Sequence, residues 1–241
     1  KLNAAGMVLV GKLATHEFAT GGPAKDLPFP PAVNPWKAGH FTGGSSSGSG
    51  SAMAAGLVTA TMGSDTSGSI RGPSAFCGIA GFKPTYGLVS RYGVVAMASS
   101  FDCIGPITRT AEDAQIVLSE IAGRDRKDST TITSDIYPHI KPIDQGLKIG
   151  LFSGGAETET LATMLKTAGL GYEASAKAEE IFSNDLSLAI YYILVPSEIS
   201  SNLERYDGVR FGSSSAEASN LYETYSKTRD EFLGPEVKRR N

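Results

Sequence analysis

The sequence predicts an α/β fold, with a mixed central sheet covered by helices on both faces. The first observation is that short apolar, strand-like runs at residues 7–10, 58–62 and 147–152 alternate with segments of helical periodicity, the order typical of this class. The second is size and composition, because 241 residues, 41% hydrophobic and 20% charged, suffice for one large domain. We therefore predict a single domain over residues 1–241.

Helix signals are clearest over residues 111–122. Thr110 is placed to cap this helix, Asp113 stands at its third position and Gly123 ends it. Apolar residues at positions 114, 117, 118 and 121 form one stripe, which predicts a helix packed on one face. Further patterns predict helices at 157–167, 186–205 and 217–232, and a polar connection over 124–145.

Charge and cysteine content restrict the function classes. The net charge is -3 and the main block of basic residues lies at 238–240, so the chain lacks the basic face that phosphate contacts need. The sequence contains no apolar run near 20 residues and no signal-peptide pattern. Its two cysteines, Cys77 and Cys103, stand in apolar surroundings, which predicts a cytoplasmic protein with buried free thiols.

Two Gly/Ser-rich turns, at residues 43–51 and 63–74, are the most informative feature of the chain. Only the apolar stretch 52–62 separates them. A flexible linker is the alternative interpretation of the first turn, but a linker would not be followed at once by a helix-forming run and a second such turn. We therefore predict that the two turns form two walls of one site, with Ser45 on one and Ser69 on the other.

These turns resemble those of the amidase signature family. Residues 43–49 are similar to its Gly-Gly-Ser-Ser-Gly-Gly-Ser turn, and residues 63–71 to its Gly-Ser/Thr-Asp-Thr-Gly-Gly-Ser-Ile-Arg turn. The similarity continues through residues 73–87, 90–93, 99–102, 105–110 and 112–114, and so covers most of residues 1–130 in order. The resemblance implies an amidase-signature fold and an enzyme that hydrolyses amide C–N bonds.

The resemblance also implies a role for each serine. Ser69 would attack the amide carbon, and Ser45, after a cis peptide bond, would relay the proton of Ser69 to a lysine base. The oxyanion of the intermediate would be held by backbone N–H groups of the turn before Ser69. These are the N–H groups of Thr66, Ser67 and Gly68.

Four other residues of the two turns carry further expectations. Asp65 and Arg71 bracket Ser69, and we expect them to pair across the turn as a scaffold. Ser47 and Ser67 stand where the family more often has glycine, so a positive φ at either position would strain the backbone.

The family's catalytic lysine lies in a segment of the form Gly-Ile/Val-Pro-x-x-x-Lys-Asp, which this sequence does not contain. Lys12 belongs to a stretch, 11–19, that resembles a different family motif, so we interpret it as at most lining the site. The resemblance thus implies that the chain corresponds to the middle of an amidase and is incomplete at both ends.

The second half resembles one group within the family, the A subunits of glutamyl/aspartyl-tRNA amidotransferases, at residues 191–203, 205–212 and 228–240. The resemblance implies a glutaminase that passes ammonia to partner B and C subunits, which use ATP and Mg and contact the tRNA. No cofactor is implied for this chain. Tyr191 and Arg240 would contact the glutamine, Arg240 through a bidentate clamp on its α-carboxylate; alternatively, Arg240 is a solvated cation at a helix end.

Other interpretations remain open. Residues 20–36 and the triple serine 45–47 resemble stand-alone amidases that act on a small amide, and a catalytically silent interaction subunit is a third interpretation. Residues 44–48 formally fit a Gly-x-Ser-x-Gly elbow, without a strand before it. The three histidines, His16, His40 and His139, show no triad or metal spacing, so we predict surface or supporting positions for them and no metal site.

Overall fold

A computed structural model describes residues 1–21, 29–132, 149–151, 156–174 and 184–240. The chain divides into two compact units, one of Lys1–Pro138 with Val195–Asn241 and one of His139–Leu194. The single domain over 1–241 stays a prediction.

A three-stranded antiparallel sheet organises the larger unit. Its strands are β1 (Thr61–Asp65), β2 (Ala80–Gly81) and β3 (Cys103–Thr108), in the order β1-β3-β2. Thr61 stands opposite Ile107, and Asp65 stands opposite Cys103 at the other end of the pair. The second Gly/Ser turn leaves β1 at Asp65, so the sheet fixes where that turn begins.

Two short helices flank the turns. Helix α1 (Ser47–Ala54) begins inside the first Gly/Ser turn, and α2 (Arg71–Cys77) begins inside the second. Met53, Ile70 and Ile107 pack together, each at most 1% exposed. Gly63 must be glycine here, because a Cβ would lie 2.8 Å from Ser46 Oγ and 3.0 Å from Ile70 Cγ1.

Helix α3 (Ala111–Ile121) confirms the strongest helix prediction. Thr110 Oγ1 accepts a hydrogen bond of 3.1 Å from the Asp113 N–H, which is the predicted N-terminal cap. The predicted stripe is buried and packs with Val89 against partly buried apolar residues. These neighbours are Leu2, Ala60, Met62 and Ile104.

The smaller unit contains a parallel pair of strands, β4 (Ile149–Leu151) and β5 (Tyr172–Ala174), joined through α4 (Ala156–Thr167). A right-handed crossover helix is the usual connection for parallel neighbours. The predicted helix at 157–167 is therefore confirmed.

Three helices complete the described chain. Helix α5 (Asn184–Leu203) contributes its buried residues Val195, Ile199 and Leu203 to the larger unit. Helix α6 (Leu221–Phe232) begins four residues later than predicted, because Asn220 Oδ1 caps the Glu223 N–H at 3.0 Å. Helix α7 (Pro235–Arg240) follows it.

The three predicted strands agree with the structure less closely than the predicted helices do. The strand expected at 7–10 was wrong: these residues pair with no strand in the part of the chain that the structure describes, and Val8, Leu9 and Val10 are 82%, 79% and 77% exposed. The strand expected at 58–62 lies three residues later, in register with β3. Residues 149–151 form the third strand, and its predicted flanks lie outside the described residues.

Of the connection predicted at 124–145, residues 124–132 form turns and bends, and the rest lies outside the described residues. Helices and both parallel and antiparallel strand pairs are present, so the α/β class is confirmed. Within the part of the chain that the structure describes, we find no helix that is long and apolar enough to cross a membrane.

Candidate active site

The two Gly/Ser turns lie against each other, as predicted. The Ser46 N–H donates to the Ser69 carbonyl at 3.3 Å. The Ser46 hydroxyl donates to the Ser64 carbonyl and accepts from the Ser64 N–H, both at 3.2 Å. These bonds join the start of α1 to the end of β1, and they occupy the hydroxyl that a Gly-x-Ser-x-Gly elbow would need free.

Ser45 is the most enclosed hydroxyl of the site. The peptide bond between Gly44 and Ser45 is cis, as the resemblance implied. The residue is 1% exposed, and its Oγ has no hydrogen-bond partner among the described residues. A buried hydroxyl without a partner costs about 1–3 kcal/mol, and natural structures rarely retain one without a functional reason.

His16 contacts the Ser45 backbone and packs against Gly44. Its backbone N–H donates to the Ser45 carbonyl at 3.0 Å, and its ring packs so close to Gly44 that any Cβ there would overlap it. The ring Nδ1 lies 2.8 Å from the Gly21 carbonyl. A carbonyl can only accept, so Nδ1 is the donor in this hydrogen bond. The residue is 4% exposed, which excludes the surface alternative.

The Ser69 turn, residues 66–70 between β1 and α2, folds around the carboxylate of Asp65. Oδ1 accepts the Gly68 N–H at 2.7 Å, and Oδ2 accepts the N–H groups of Ile70 at 3.1 Å and Arg71 at 3.3 Å. Gly68 has a φ of 133°, a conformation that favours glycine. Ser69, half-buried, is thereby held just before α2.

The predicted pair of Asp65 and Arg71 is confirmed. Arg71 Nε and Nη2 each donate to the carboxylate at 3.0 Å. Asp65 is fully buried, whereas the Arg71 side chain is about half exposed. Burial raises the pKa of Asp65, but the hydrogen bonds from Arg71, Ile70 and Gly68 and the charge of Arg71 outweigh it and hold that pKa below its ordinary value.

The candidate oxyanion donors are not equivalent. The Gly68 N–H is donated to Asp65, so it is engaged within the turn. Among the described residues, the N–H groups of Thr66, Ser67 and Ser69 have no intramolecular acceptor. Ser67 and Ser47 do not have positive φ values, so the strain considered for them does not arise.

Arg240 lies on α7. A hydrogen bond joins the residue before this helix to Glu17, which follows His16, the residue whose ring packs against Gly44. Glu17 Oε2 accepts the Gly234 N–H at 2.9 Å, directly before α7. Arg240 Nε donates to Glu236 Oε1 at 2.7 Å, and its side chain is 14% exposed. The alternative of a solvated cation at a helix end is therefore wrong.

Tyr191 and Lys12 are the two other residues considered from the sequence. Tyr191 stands on α5 in the smaller unit, with its ring 5.2 Å from that of Tyr192, and its contact with glutamine stays a prediction. Lys12 lies on an exposed, extended segment. In the described ranges, no cluster of three or more His, Cys, Asp or Glu residues could hold a metal ion.

Comparison with known proteins decides the family. The sequence profile of the amidase family matches residues 1–241. The chain belongs to the amidase family. A curated relative from this family, the A subunit of glutamyl-tRNA(Gln) amidotransferase from Sulfurihydrogenibium sp. (strain YO3AOP1), is 46% identical over the whole chain, which covers 51% of that protein. The chain thus spans about half the length of the curated relatives it matches.

Solved structures of the amidase family agree with this assignment. The crystal structure of the glutamyl-tRNA(Gln) amidotransferase A subunit from Thermotoga maritima is 41% identical with a TM-score of 0.73, over 83% of this chain and 46% of that one. Peptide amidase from Stenotrophomonas maltophilia is 30% identical with a TM-score of 0.63, over 86% of this chain and 45% of that one. The amidase-signature fold is therefore confirmed.

Proposed function

We propose that this chain carries the nucleophile and the proton relay of a serine amidase. One observation supports this above all others: the hydroxyl of Ser45 is buried and unpartnered, and the next residue in the chain, Ser46, donates its N–H to the Ser69 carbonyl. A relay hydroxyl needs free lone pairs and a nearby nucleophile. The neighbouring hydroxyl, on Ser46, is already occupied by its two hydrogen bonds with Ser64.

In the proposed reaction, Ser69 Oγ bonds to the amide carbon while its proton passes to Ser45 Oγ. The proton of Ser45 passes to a lysine base that we do not assign to a residue of this chain. The C–N bond then breaks as the base returns this proton to the nitrogen, which leaves as ammonia, and water hydrolyses the acyl ester to free Ser69. The N–H groups of Thr66 and Ser67, with that of Ser69, stabilise the oxyanion, whereas the Gly68 N–H stays on Asp65.

We propose that the amide is glutamine and that the chain belongs to the A subunit of an amidotransferase. The names of the curated relatives support this, together with the position of Arg240 on a helix tied to the Ser45 side of the site. In this proposal ammonia goes to B and C partner subunits, which use ATP and Mg and bind the tRNA. The free, buried thiols of Cys77 and Cys103 support a cytoplasmic location.

A stand-alone amidase is the second candidate. The Arg240 guanidinium is already paired with Glu236, and an enzyme for a small uncharged amide needs no clamp for a carboxylate. A catalytically silent interaction subunit would keep the same fold and fail every activity test below.

The test of the nucleophile is trapping of the acyl-enzyme. In a form of the protein that turns over an amide, an activated ester should label Ser69, as mapped by peptide mass. Ser69→Ala should lower kcat by about 10⁴-fold or more, whereas Ser119→Ala on the exposed face of α3 should have no effect. Label on Ser45 or Ser46 would contradict the assignment.

A further inference from the structure

A second buried carboxylate, that of Asp102, binds the first residue of the Ser69 turn, Thr66. Asp102 is 4% exposed and stands directly before β3. Its Oδ1 accepts the Thr66 hydroxyl at 2.6 Å, and its Oδ2 accepts the N–H groups of Met97 at 2.9 Å and Ala98 at 3.1 Å. Thr66 follows Asp65 in the chain, so the turn is held by one carboxylate at each end.

The loop that carries Asp102 is itself fixed. The Asp102 N–H donates to the Ala98 carbonyl at 2.9 Å, which closes the loop on itself. Asn202 Nδ2 donates to the Met97 carbonyl at 3.1 Å, and Glu198 Oε2 accepts the Ser100 N–H at 2.9 Å. Asp102 therefore presents its carboxylate to Thr66 from a rigid support.

Asp65 alone does not fix Thr66. Its hydrogen bonds reach the N–H groups of Gly68, Ile70 and Arg71, all of which lie beyond Thr66 and Ser67. The side chain of Thr66 makes its short hydrogen bond to Asp102 instead. An oxyanion donor must lie within about 2.7–3.1 Å of the developing charge, so the orientation of Thr66 requires a constraint of its own.

We propose that Asp102 is a positioning residue, which holds Thr66 so that its N–H faces the oxyanion. The proposal rests on the proposed amidase function. Burial raises the pKa of Asp102, and hydrogen bonds from Thr66, Ala98 and Met97 only partly offset this.

The test compares Asp102→Asn and Thr66→Val in a form that turns over an amide. Asparagine keeps the shape and one acceptor for the loop N–H groups, and valine removes only the Thr66 hydroxyl. Each change should lower kcat about 10- to 100-fold, with KM changed less than about threefold. The double variant should be no slower than the slower single variant, because both remove one interaction.

Glu198→Gln is the matched control, because a glutamine carbonyl can still accept the Ser100 N–H and so keeps the loop in place while removing a carboxylate that does not contact Thr66; its kcat should be unchanged. Additive losses in the double variant, or an unchanged kcat in Asp102→Asn, would overturn the positioning role. If Ser69→Ala keeps its activity, the amidase proposal fails instead, so the two failures are distinguishable.

A second measurement needs no activity. In the 241-residue chain, three-bond NMR couplings of the Thr66 methyl carbon report the populations of its χ1 rotamers. We expect one rotamer in the unmodified chain and in Glu198→Gln, and averaging in Asp102→Asn. The same couplings in all three proteins would contradict the proposal.

Discussion

The buried hydroxyl of Ser45 does not stabilise the fold. Its Oγ has no partner among the described residues, whereas Ser49, on the next turn of the same segment, donates to the Met62 carbonyl at 2.8 Å. Both side chains are buried. The Ser45 hydroxyl is therefore available for catalysis, whereas the Ser49 hydroxyl stabilises the fold.

Ser45→Ala should lower kcat by about 10²- to 10⁴-fold, the usual contribution of a proton-transfer group. Its free energy of unfolding should be unchanged or raised by up to about 1–3 kcal/mol, because no hydrogen bond is lost and a buried hydroxyl without a partner is removed. Ser49→Ala should show the reverse, with kcat kept and stability reduced by about 1–2 kcal/mol. Urea denaturation and amide turnover measure both, and equal activity in the two variants would argue against the relay.

Arg240 and Arg239 provide a variant and a matched control for testing how the substrate carboxylate is bound. Both pair with Glu236, but the Arg239 side chain is 67% exposed and that of Arg240 is 14% exposed. Arg240→Leu should raise the KM for glutamine about 30- to 100-fold, the loss of a charged hydrogen bond. Turnover of an amide without a carboxylate should be nearly unchanged, and Arg239→Leu should leave both substrates unaffected. Equal losses on both substrates in Arg240→Leu would indicate a structural role.

The residues that a motif contains could be predicted from the sequence, whereas those brought in by the fold could not. Ser45, Ser69 and the pair of Asp65 with Arg71 all lie in two short turns of recognisable pattern. His16 lies 29 positions before Ser45, and no triad or metal spacing identified it. Asp102 stands in a matched motif, but its contact with Thr66 depends on how β3 pairs with β1.

At the scale of the element, the site is a strand, a turn and a helix built around one carboxylate. Asp65 ends β1, accepts the N–H groups of the turn and pairs with the first residue of α2. The helix itself is short, and an isolated helix of this length is not stable in water. Asp65 therefore determines whether Ser69 has a defined position.

Asp65→Asn should lower the free energy of unfolding by about 1–3 kcal/mol at pH 7. The folded-state pKa of Asp65 lies below its unfolded value, so its contribution is present above the unfolded pKa of about 3.9 and is lost as the pH falls toward the folded pKa. The deficit of Asp65→Asn should therefore shrink below about pH 4.

Urea denaturation from pH 7 to pH 3 measures this difference. Glu120→Gln is the control, since that carboxyl is exposed on α3. A deficit that does not change with pH would show that Asp65 acts through shape and not through its charge.

Elements with complete local signals were predicted well, and those that depend on partners were not. Helix α3 has its cap, its apolar stripe and its stop in the sequence, and the structure reproduces them. Helix α1 begins at Ser47 within a Gly/Ser run of low helix propensity, because packing against α2 and the sheet overrides local preference. The strand at 7–10 has strand composition but no neighbour among the described residues to pair with.

At the scale of the whole molecule, the chain spans about half the length of its curated relatives, and we assign no lysine base in it. Lys12 is exposed, and a lysine acts as a general base only where burial or neighbouring charge keeps its amine neutral. Two serines without their base form an incomplete relay.

The isolated 241-residue chain should therefore release ammonia from glutamine at least about 10²-fold more slowly than a catalytically complete form, since a general base contributes about 10²–10⁴. Lys12→Met should leave this residual rate unchanged, as should the control Lys37→Met, another exposed lysine. Strong turnover that is lost only in Lys12→Met would make Lys12 the base.

The hydrogen bond from the Gly234 N–H to Glu17 joins residues 217 positions apart, and this separation imposes an order in time. At a synthesis rate of about 5–20 residues per second, the ribosome makes Gly234 roughly ten to thirty seconds after Ser69. During that interval the nascent chain can form both serine turns, but the helix of Arg240 does not yet exist. Both serine turns can thus form before the contact proposed to select the substrate, because contacts between residues so far apart in the chain are slow to form.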